Sequence, residues 1–115
     1  MPFDPAEAIV VFITTGNSEE AARLADLLIE QRLAACVQIL PEVESVYRWQ
    51  GKIERQKEVL VIAKSTRARF LDLEREVRAI HSYDTPEIVA LPLTAGSEPY
   101  LEWLNSSVSG EAEGA

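Results

Sequence analysis

One stretch of alternating apolar and polar residues, longer than a compact domain of this size is wide, most constrains the fold of this chain. Between residues 33 and 50 the odd positions are mostly apolar, from Leu33 to Trp49, and many even positions are polar. This two-residue period is typical of a strand with one buried face. Eighteen residues of straight strand would span about 60 Å, whereas a compact chain of 115 residues is about 35 Å across. The strand is therefore predicted to bend near Pro41 and to project beyond the domain.

The projecting end of this strand carries large side chains that would be exposed in a monomer. Val46, Tyr47 and Trp49 end its apolar side, and Arg48 and Lys52 lie among them. Tyrosine, tryptophan and arginine dominate the binding energy of protein interfaces, and a large apolar patch is rarely left in water. We therefore expect another subunit to cover this hairpin, which makes the protein an oligomer.

The composition is that of an ordinary globular protein with an acidic surface. The chain is 47% apolar and 26% charged, which suits one domain with its own core. Its net charge of −8 argues against nucleic acid or an anionic membrane surface as a partner and leaves cations as candidate ligands. The N-terminal residues lack the pattern of a signal peptide, and no apolar run is long enough to span a membrane. A soluble, cytoplasmic protein is predicted.

The predicted elements follow the order strand, helix, strand, strand, helix, strand and a last short helix. Residues 8–15 and 59–63 are apolar runs typical of strands buried on both faces, and Pro92 in the last strand indicates a sheet edge. Two right-handed crossovers joined by a hairpin define an α+β, ferredoxin-like βαββαβ sheet with the first and third strands in the centre. We predict one domain over residues 8–105 and a disordered tail over residues 106–115.

Several polar residues are assigned structural roles at this stage. Asn17 is predicted to cap the first helix, with Glu20 completing a capping box three residues later. The carboxylates of Glu54, Glu58 and Glu87 are predicted to lie on solvated faces.

No motif in the chain predicts catalysis. It contains no Gly-x-Ser-x-Gly sequence, no glycine-rich phosphate loop and no nucleophile beside a base, so we expect a protein that is not an enzyme. Cys36, the single cysteine, is either a small buried residue or a soft metal ligand. His81 is either a helix C-terminal residue or an imidazole ligand for copper or zinc, with Asp84 or Glu87 beside it. Lys64 either pairs with an acid or anchors an anion.

Five segments together resemble the CutA family of divalent-cation-tolerance proteins. They occur in order and with normal spacing, at residues 32–37, 46–52, 63–64, 81–92 and 100–104. The resemblance implies a ferredoxin-like trimer whose long hairpins extend across neighbouring subunits. It also implies a role in tolerance of divalent metals, with binding of copper or related ions. We expect no organic cofactor.

The resemblance further implies where a metal binds. The family's site lies near its cysteine and its histidine-containing turn, at or near subunit contacts. That turn commonly reads His-Pro-Tyr, and Ser82 here replaces the proline, which predicts a looser turn. The metal-ligand candidates are Cys36 and His81, and the residues expected to line the same region are Tyr83, Asp84 and Glu87.

The sequence is compatible with three functions. The first is a non-enzymatic trimer that binds divalent metal, above all Cu²⁺. The second is a trimer similar to the PII proteins that senses a small anionic metabolite between subunits, with Lys64, Arg48 and Lys52 as contacts. The third is a trimeric scaffold for other proteins. The predicted residues of the subunit interface or pocket are Tyr47, Arg48, Trp49, Lys64 and Tyr83.

Overall fold

The computed structural model describes residue 4 and residues 6–109. Its elements follow the predicted order and confirm the α+β, ferredoxin-like class. They are β1 (Ala8–Thr15), α1 (Ser18–Glu30), β2 (Cys36–Trp49), β3 (Lys52–Thr66), α2 (Arg67–Ile80), β4 (Ile88–Pro92) and α3 (Glu98–Ser107).

The four strands form one antiparallel sheet in the order β2-β3-β1-β4. The strands that contain the two apolar runs, β1 and β3, are central, and β4 with Pro92 lies at an edge, as predicted. The hydrophobic core lies between the sheet and the first two helices. Its buried residues are Ile9, Val11, Ile13, Ala21, Leu24, Leu28, Leu33, Ala34, Val59, Val61, Ala63, Leu73 and Val77.

The start of β2 lies three residues later than the sequence pattern indicates. Arg32 adopts a positive φ of 55°, and the N–H groups of Leu33 and Ala34 both donate to the Leu28 carbonyl. These bonds satisfy the end of α1, as a left-handed residue after a helix commonly allows. The strand therefore begins at Cys36.

A β-bulge at Pro41 divides β2 into two halves that present opposite faces. Before it, Ile39 pairs with the core residue Val61; beyond it, Val43 pairs with Glu58. One extra residue in a strand shifts all later side chains to the other face of the sheet. The predicted bend is confirmed, but the prediction of one continuous apolar side was wrong, because the odd positions face the helices only before the bulge.

The β2–β3 hairpin projects from the rest of the domain. The radius of gyration is 15.1 Å and the longest dimension is 49 Å, against a radius of about 13 Å for a compact chain of this length. Gln50 and Gly51 turn the hairpin with φ values of 50° and 81°, the left-handed pair that suits the twist of two-residue hairpins. The predicted overhang is thus present.

The C-terminal helix extends the folded region beyond the predicted boundary at residue 105. It continues to Ser107, and the following Val108 is buried. Arg32 Nη1 donates to the Ser107 carbonyl at 3.4 Å, and Arg69 Nε donates to the Val108 carbonyl at 2.6 Å. Cationic donors stabilise the carbonyls at a helix C-terminus. Residues 106–109 therefore do not form a tail, and residues 110–115 lie outside the described part of the chain.

None of the helices in the described residues is long and apolar enough to cross a membrane.

Candidate functional site

The sheet separates the two predicted metal ligands within one chain. Cys36 pairs with Lys64, which pairs in turn with Val10 on β1. The His81 ring instead contacts the carbonyl of Thr14, four residues further along β1 and so about 13 Å away along the strand. Cys36 and His81 therefore lie toward opposite ends of the sheet, and they do not share an ion within one chain.

Cys36 lies beside α3 with few donor atoms around it. Its half-buried Sγ is 3.4 Å from the Tyr100 hydroxyl. The hydrogen bond with this thiol, followed by partial burial, raises the pKa of Tyr100 to about 12. On the neighbouring strand Lys64 Nζ donates to Gln38 Oε1 at 2.6 Å. Among the residues that the structure describes, the cysteine is thus the one soft ligand at this end of the sheet.

His81 has both ring nitrogens occupied in a fully buried side chain. Nε2 lies 2.8 Å from the Thr14 carbonyl oxygen, and Nδ1 lies 3.0 Å from the Tyr83 backbone nitrogen. A carbonyl only accepts and a backbone N–H only donates, so the neutral ring carries its proton on Nε2. Ligation of a metal by His81 would require one of these two bonds to break.

Glu20 anchors the turn that follows α2. The predicted cap is confirmed, since Asn17 Oδ1 accepts from the Glu20 N–H at 2.8 Å. The buried Glu20 carboxylate, however, accepts from the Ser82 N–H at 2.7 Å and from its hydroxyl at 3.0 Å. A proline at position 82 would offer neither donor. The turn is therefore held by hydrogen bonds, and the expectation that Ser82 loosens it was wrong.

This anchoring makes part of the stability depend on pH. Burial raises the pKa of Glu20, but the backbone and side-chain hydrogen bonds from Ser82, with a weaker one from the Gly16 N–H, together lower it below the ordinary value of 4.5. A carboxylate whose pKa is lower in the folded state stabilises the protein above its unfolded-state pKa. That stabilisation is lost as the pH falls through the folded-state pKa.

We expect Glu20→Gln to lower the free energy of unfolding at pH 7, and the difference from wild type to shrink below pH 4.5. Urea unfolding between pH 3 and pH 8 measures it. Glu19→Gln, in the same helical turn but exposed, is the matched control and should show little dependence. A Glu20→Gln effect of constant size across this range would contradict the assignment.

Tyr83 joins this turn to the projecting hairpin. Its hydroxyl donates to Glu58 Oε2 at 2.8 Å and accepts from Gln56 Nε2 at 3.3 Å, while Gln56 Oε1 accepts from the Tyr47 hydroxyl at 2.8 Å. Burial, and then the hydrogen bond with Glu58, raise the pKa of Tyr83 to about 12. Glu58 is only 7% exposed, so the prediction that it lies on a solvated face was wrong.

An open cleft of about 490 Å³, which we call the Tyr83 cleft, lies where these side chains meet. Its walls combine aromatic rings, three carboxylates and small hydroxyl or amide groups. Of the predicted site residues, the cleft contains five, whereas Cys36, His81, Arg48 and Lys64 lie elsewhere. The lining residues are Thr14, Tyr47, Trp49, Gln56, Glu58, Tyr83, Asp84, Thr85 and Glu87.

The donor atoms of one chain do not form a closed metal centre. Within residue 4 and residues 6–109, no group of three or more histidine, cysteine, aspartate or glutamate side chains is placed to hold an ion. A structural or tightly held divalent ion commonly needs at least that many protein ligands. A metal bound with high affinity would therefore need ligands from more than one subunit.

Comparisons with known proteins define the class of this chain. The profile of the CutA1 divalent ion tolerance proteins matches residues 9–107. The chain therefore belongs to the CutA1 divalent ion tolerance family.

Individual relatives agree with this assignment. The chain is 46% identical over 98 residues to the divalent-cation tolerance protein CutA of Thermus thermophilus, covering 85% of this chain and 95% of that one. It is 46% identical over 100 residues to the chloroplastic protein CutA of Arabidopsis thaliana, covering 87% of this chain but 55% of the plant protein. The chain thus spans about half the length of the plant relatives it matches.

Solved structures of family members also share this fold. The crystal structure of CutA1 from Oryza sativa superposes with a TM-score of 0.87 at 44% identity, over 91% of this chain and 96% of that one. The Thermus thermophilus divalent cation tolerance protein superposes with a TM-score of 0.85 at 45% identity, over 87% and 97% of the two chains. The projecting hairpin and the added C-terminal helix thus belong to a fold that these proteins share.

Proposed function

We propose that the protein is a homotrimer that binds divalent metal ions, above all Cu²⁺, and that it contributes in this way to divalent cation tolerance. The main observation that supports a homo-oligomer is the exposed apolar hairpin, on which Trp49 is 58% exposed and Ile53 is 67% exposed. Side chains of this size cost free energy when they remain in water. A second subunit that covers them removes that cost.

The position of a second apolar patch favours a closed ring over a two-fold dimer. Val89 and Leu91 on β4 and Leu71 on α2 are also exposed, and they lie at the sheet edge opposite to β2. When two different patches of one chain meet between copies, the contact is heterologous, and it forms a ring where the rotation between copies closes. A ring of three subunits is the assembly that the resemblance to CutA proteins implies.

For metal binding, the proposal relies on Cys36 and on the family. Thiolate sulfur is a ligand that copper and zinc prefer, and Cys36 is half-buried on an edge strand. The remaining ligands would come from a neighbouring subunit, with His81 contributing only if its turn opens. Family membership supports the role in cation tolerance.

Copper titration of variants tests this proposal. We expect Cys36→Ala to lose the tightest copper binding in native mass spectrometry and to keep the wild-type oligomer, whereas Gln38→Ala on the same strand keeps both. His81→Ala should lower stability more than copper binding, because both ring nitrogens bond within the chain. Unchanged copper stoichiometry and affinity in a Cys36→Ala, His81→Ala double variant would contradict the assigned site.

The other functions have less support. An anionic metabolite would meet three carboxylates and no lysine or arginine in the Tyr83 cleft, and Lys64 already bonds to Gln38. A scaffold role and the absence of catalysis stay predictions. The cytoplasmic location also stays a prediction, because the names of relatives include both chloroplastic and periplasmic proteins.

A further inference from the structure

We propose that a cleft at the start of α2 binds a phosphate group, either inorganic phosphate or the phosphoryl group of a monoester. This cleft, which we call the Thr66 cleft, has a volume of about 280 Å³ and lies between the start of α2 and the end of α3. None of its lining residues belongs to the hairpin or to the apolar patch on β4 and α2. The proposal therefore depends neither on metal binding nor on assembly.

The first argument is an incomplete cap at the start of α2. Thr66 has the extended backbone of an N-cap residue, but its side chain accepts no hydrogen bond from the helix. A threonine in this position commonly accepts from the N–H group two or three residues later. The N–H of Arg67 donates to the Glu7 carbonyl, whereas Thr66 leaves those of Ala68 and Arg69 uncapped. Uncapped N–H groups and the helix dipole attract an anion.

The second argument is the buried hydroxyl of Thr66. The residue is 2% exposed, and its hydroxyl forms no hydrogen bond with another side chain or the backbone in the described part of the chain. In that same part, every side-chain oxygen or nitrogen that is cut off from solvent has a hydrogen-bond partner. The unpaired Thr66 hydroxyl therefore reaches solvent, and it does so in the cleft that the residue lines. A bound phosphate oxygen would accept its proton.

The third argument is the guanidinium of Arg69, which also lines the cleft. Its Nε donates to the Val108 carbonyl at 2.6 Å, and this bond fixes the group beside the start of the helix. Its two Nη groups have no hydrogen bond or ion pair with any residue that the structure describes. They keep four N–H donors, and a guanidinium matches phosphate oxygens in pairs.

The fourth argument is the charge and size of the cleft. Although the chain has a net charge of −8, no acidic residue lines this cleft, and Arg69 makes it locally positive. Asn105 also lines it and uses one of its two amide protons on the Leu101 carbonyl. The volume is slightly below the range of about 300–1,000 Å³ that holds drug-sized ligands. A small anion with several acceptor oxygens fits these donors.

Isothermal titration calorimetry with inorganic phosphate, at pH 7 and 0.15 M NaCl, tests the proposal on the full chain. We expect saturable binding of one phosphate per chain. Thr66→Val removes the hydroxyl and keeps the branched side chain, and Arg69→Gln removes the cation; each should weaken binding at least tenfold. Thr66→Ser keeps the hydroxyl and should bind within threefold of wild type.

Arg78→Gln is the matched control for the charge. It removes the same charge from the last turn of the same helix, where the side chain is exposed, and it should change the affinity less than twofold. Methyl phosphate distinguishes the two sources of the ligand. An affinity equal to that of inorganic phosphate would identify a monoester as a ligand, and an affinity at least tenfold weaker would identify free phosphate.

Three results would overturn the proposal: no saturable binding of phosphate, equal losses of affinity in Arg78→Gln and Arg69→Gln, or equal affinities for acetate and phosphate. If Thr66→Val does not fold, Arg69→Gln together with Thr66→Ser carries the test, because Arg69 is only half-buried. Sedimentation and copper titration of the same samples report separately on the proposed trimer and its metal.

Discussion

Replacing Trp49 by alanine is expected to destabilise the assembly by about 3–5 kcal/mol, the range for removal of a large buried aromatic side chain. In a single chain the Trp49 ring is 58% exposed near the tip of the hairpin. Its loss can be this costly only if a second subunit buries the ring. Sedimentation velocity over a range of protein concentrations, together with urea unfolding at each concentration, measures the effect.

The chain provides a matched control for this substitution. Trp103 on α3 is 44% exposed and lies away from the hairpin, with its ring 5.5 Å from that of Tyr100. We expect Trp103→Ala to leave the oligomer intact and to have a smaller effect. A loss within about 0.5 kcal/mol for Trp49→Ala is the size seen at ordinary surface positions, and it would contradict burial of the hairpin between subunits.

Replacing Tyr83 by phenylalanine is expected to lower the free energy of unfolding by about 1–3 kcal/mol, because it leaves a buried acceptor without its donor. The Tyr83 hydroxyl is the donor to the buried Glu58 carboxylate and also accepts from Gln56. Phenylalanine keeps the ring and removes only these two bonds. Urea unfolding at pH 7 measures the change.

Tyr47→Phe is the matched control for the Tyr83 substitution. Its hydroxyl also makes one short hydrogen bond, to Gln56, but the side chain is exposed and water can replace the lost partner. We expect a smaller loss of stability for Tyr47→Phe than for Tyr83→Phe. Equal losses would mean that Glu58 is solvated in solution and does not depend on Tyr83.

The architecture followed from local patterns in the sequence. The apolar runs at residues 8–15 and 59–63 predicted the two central strands. The length of the alternating segment predicted the projecting hairpin. These features depend on residues close together in the chain. Pro41 indicated the bend, but an alternating pattern does not reveal an extra residue, so the change of face beyond the bulge could not be read from it.

The site was harder to predict because its contacts join distant parts of the chain. Glu20 looks like a capping residue and Glu58 like a surface residue, yet the first binds Ser82 and the second binds Tyr83. Neither pairing has a fixed spacing that a sequence would show. The aromatic and acidic residues of the turn and hairpin could be picked out from the sequence because their residue types are common in binding sites and interfaces. The distance between Cys36 and His81 could not be predicted, because it depends on how the strands are paired in the sheet.

Sedimentation equilibrium of the full chain at micromolar concentration tests the central claim, that the projecting hairpin requires other copies of the chain. The predicted result is a single species with three times the chain mass of 12.8 kDa, and a shift to smaller species in Trp49→Ala. A folded species of 12.8 kDa in the wild type would contradict the account, since the hairpin would then be stable with its apolar side chains in water.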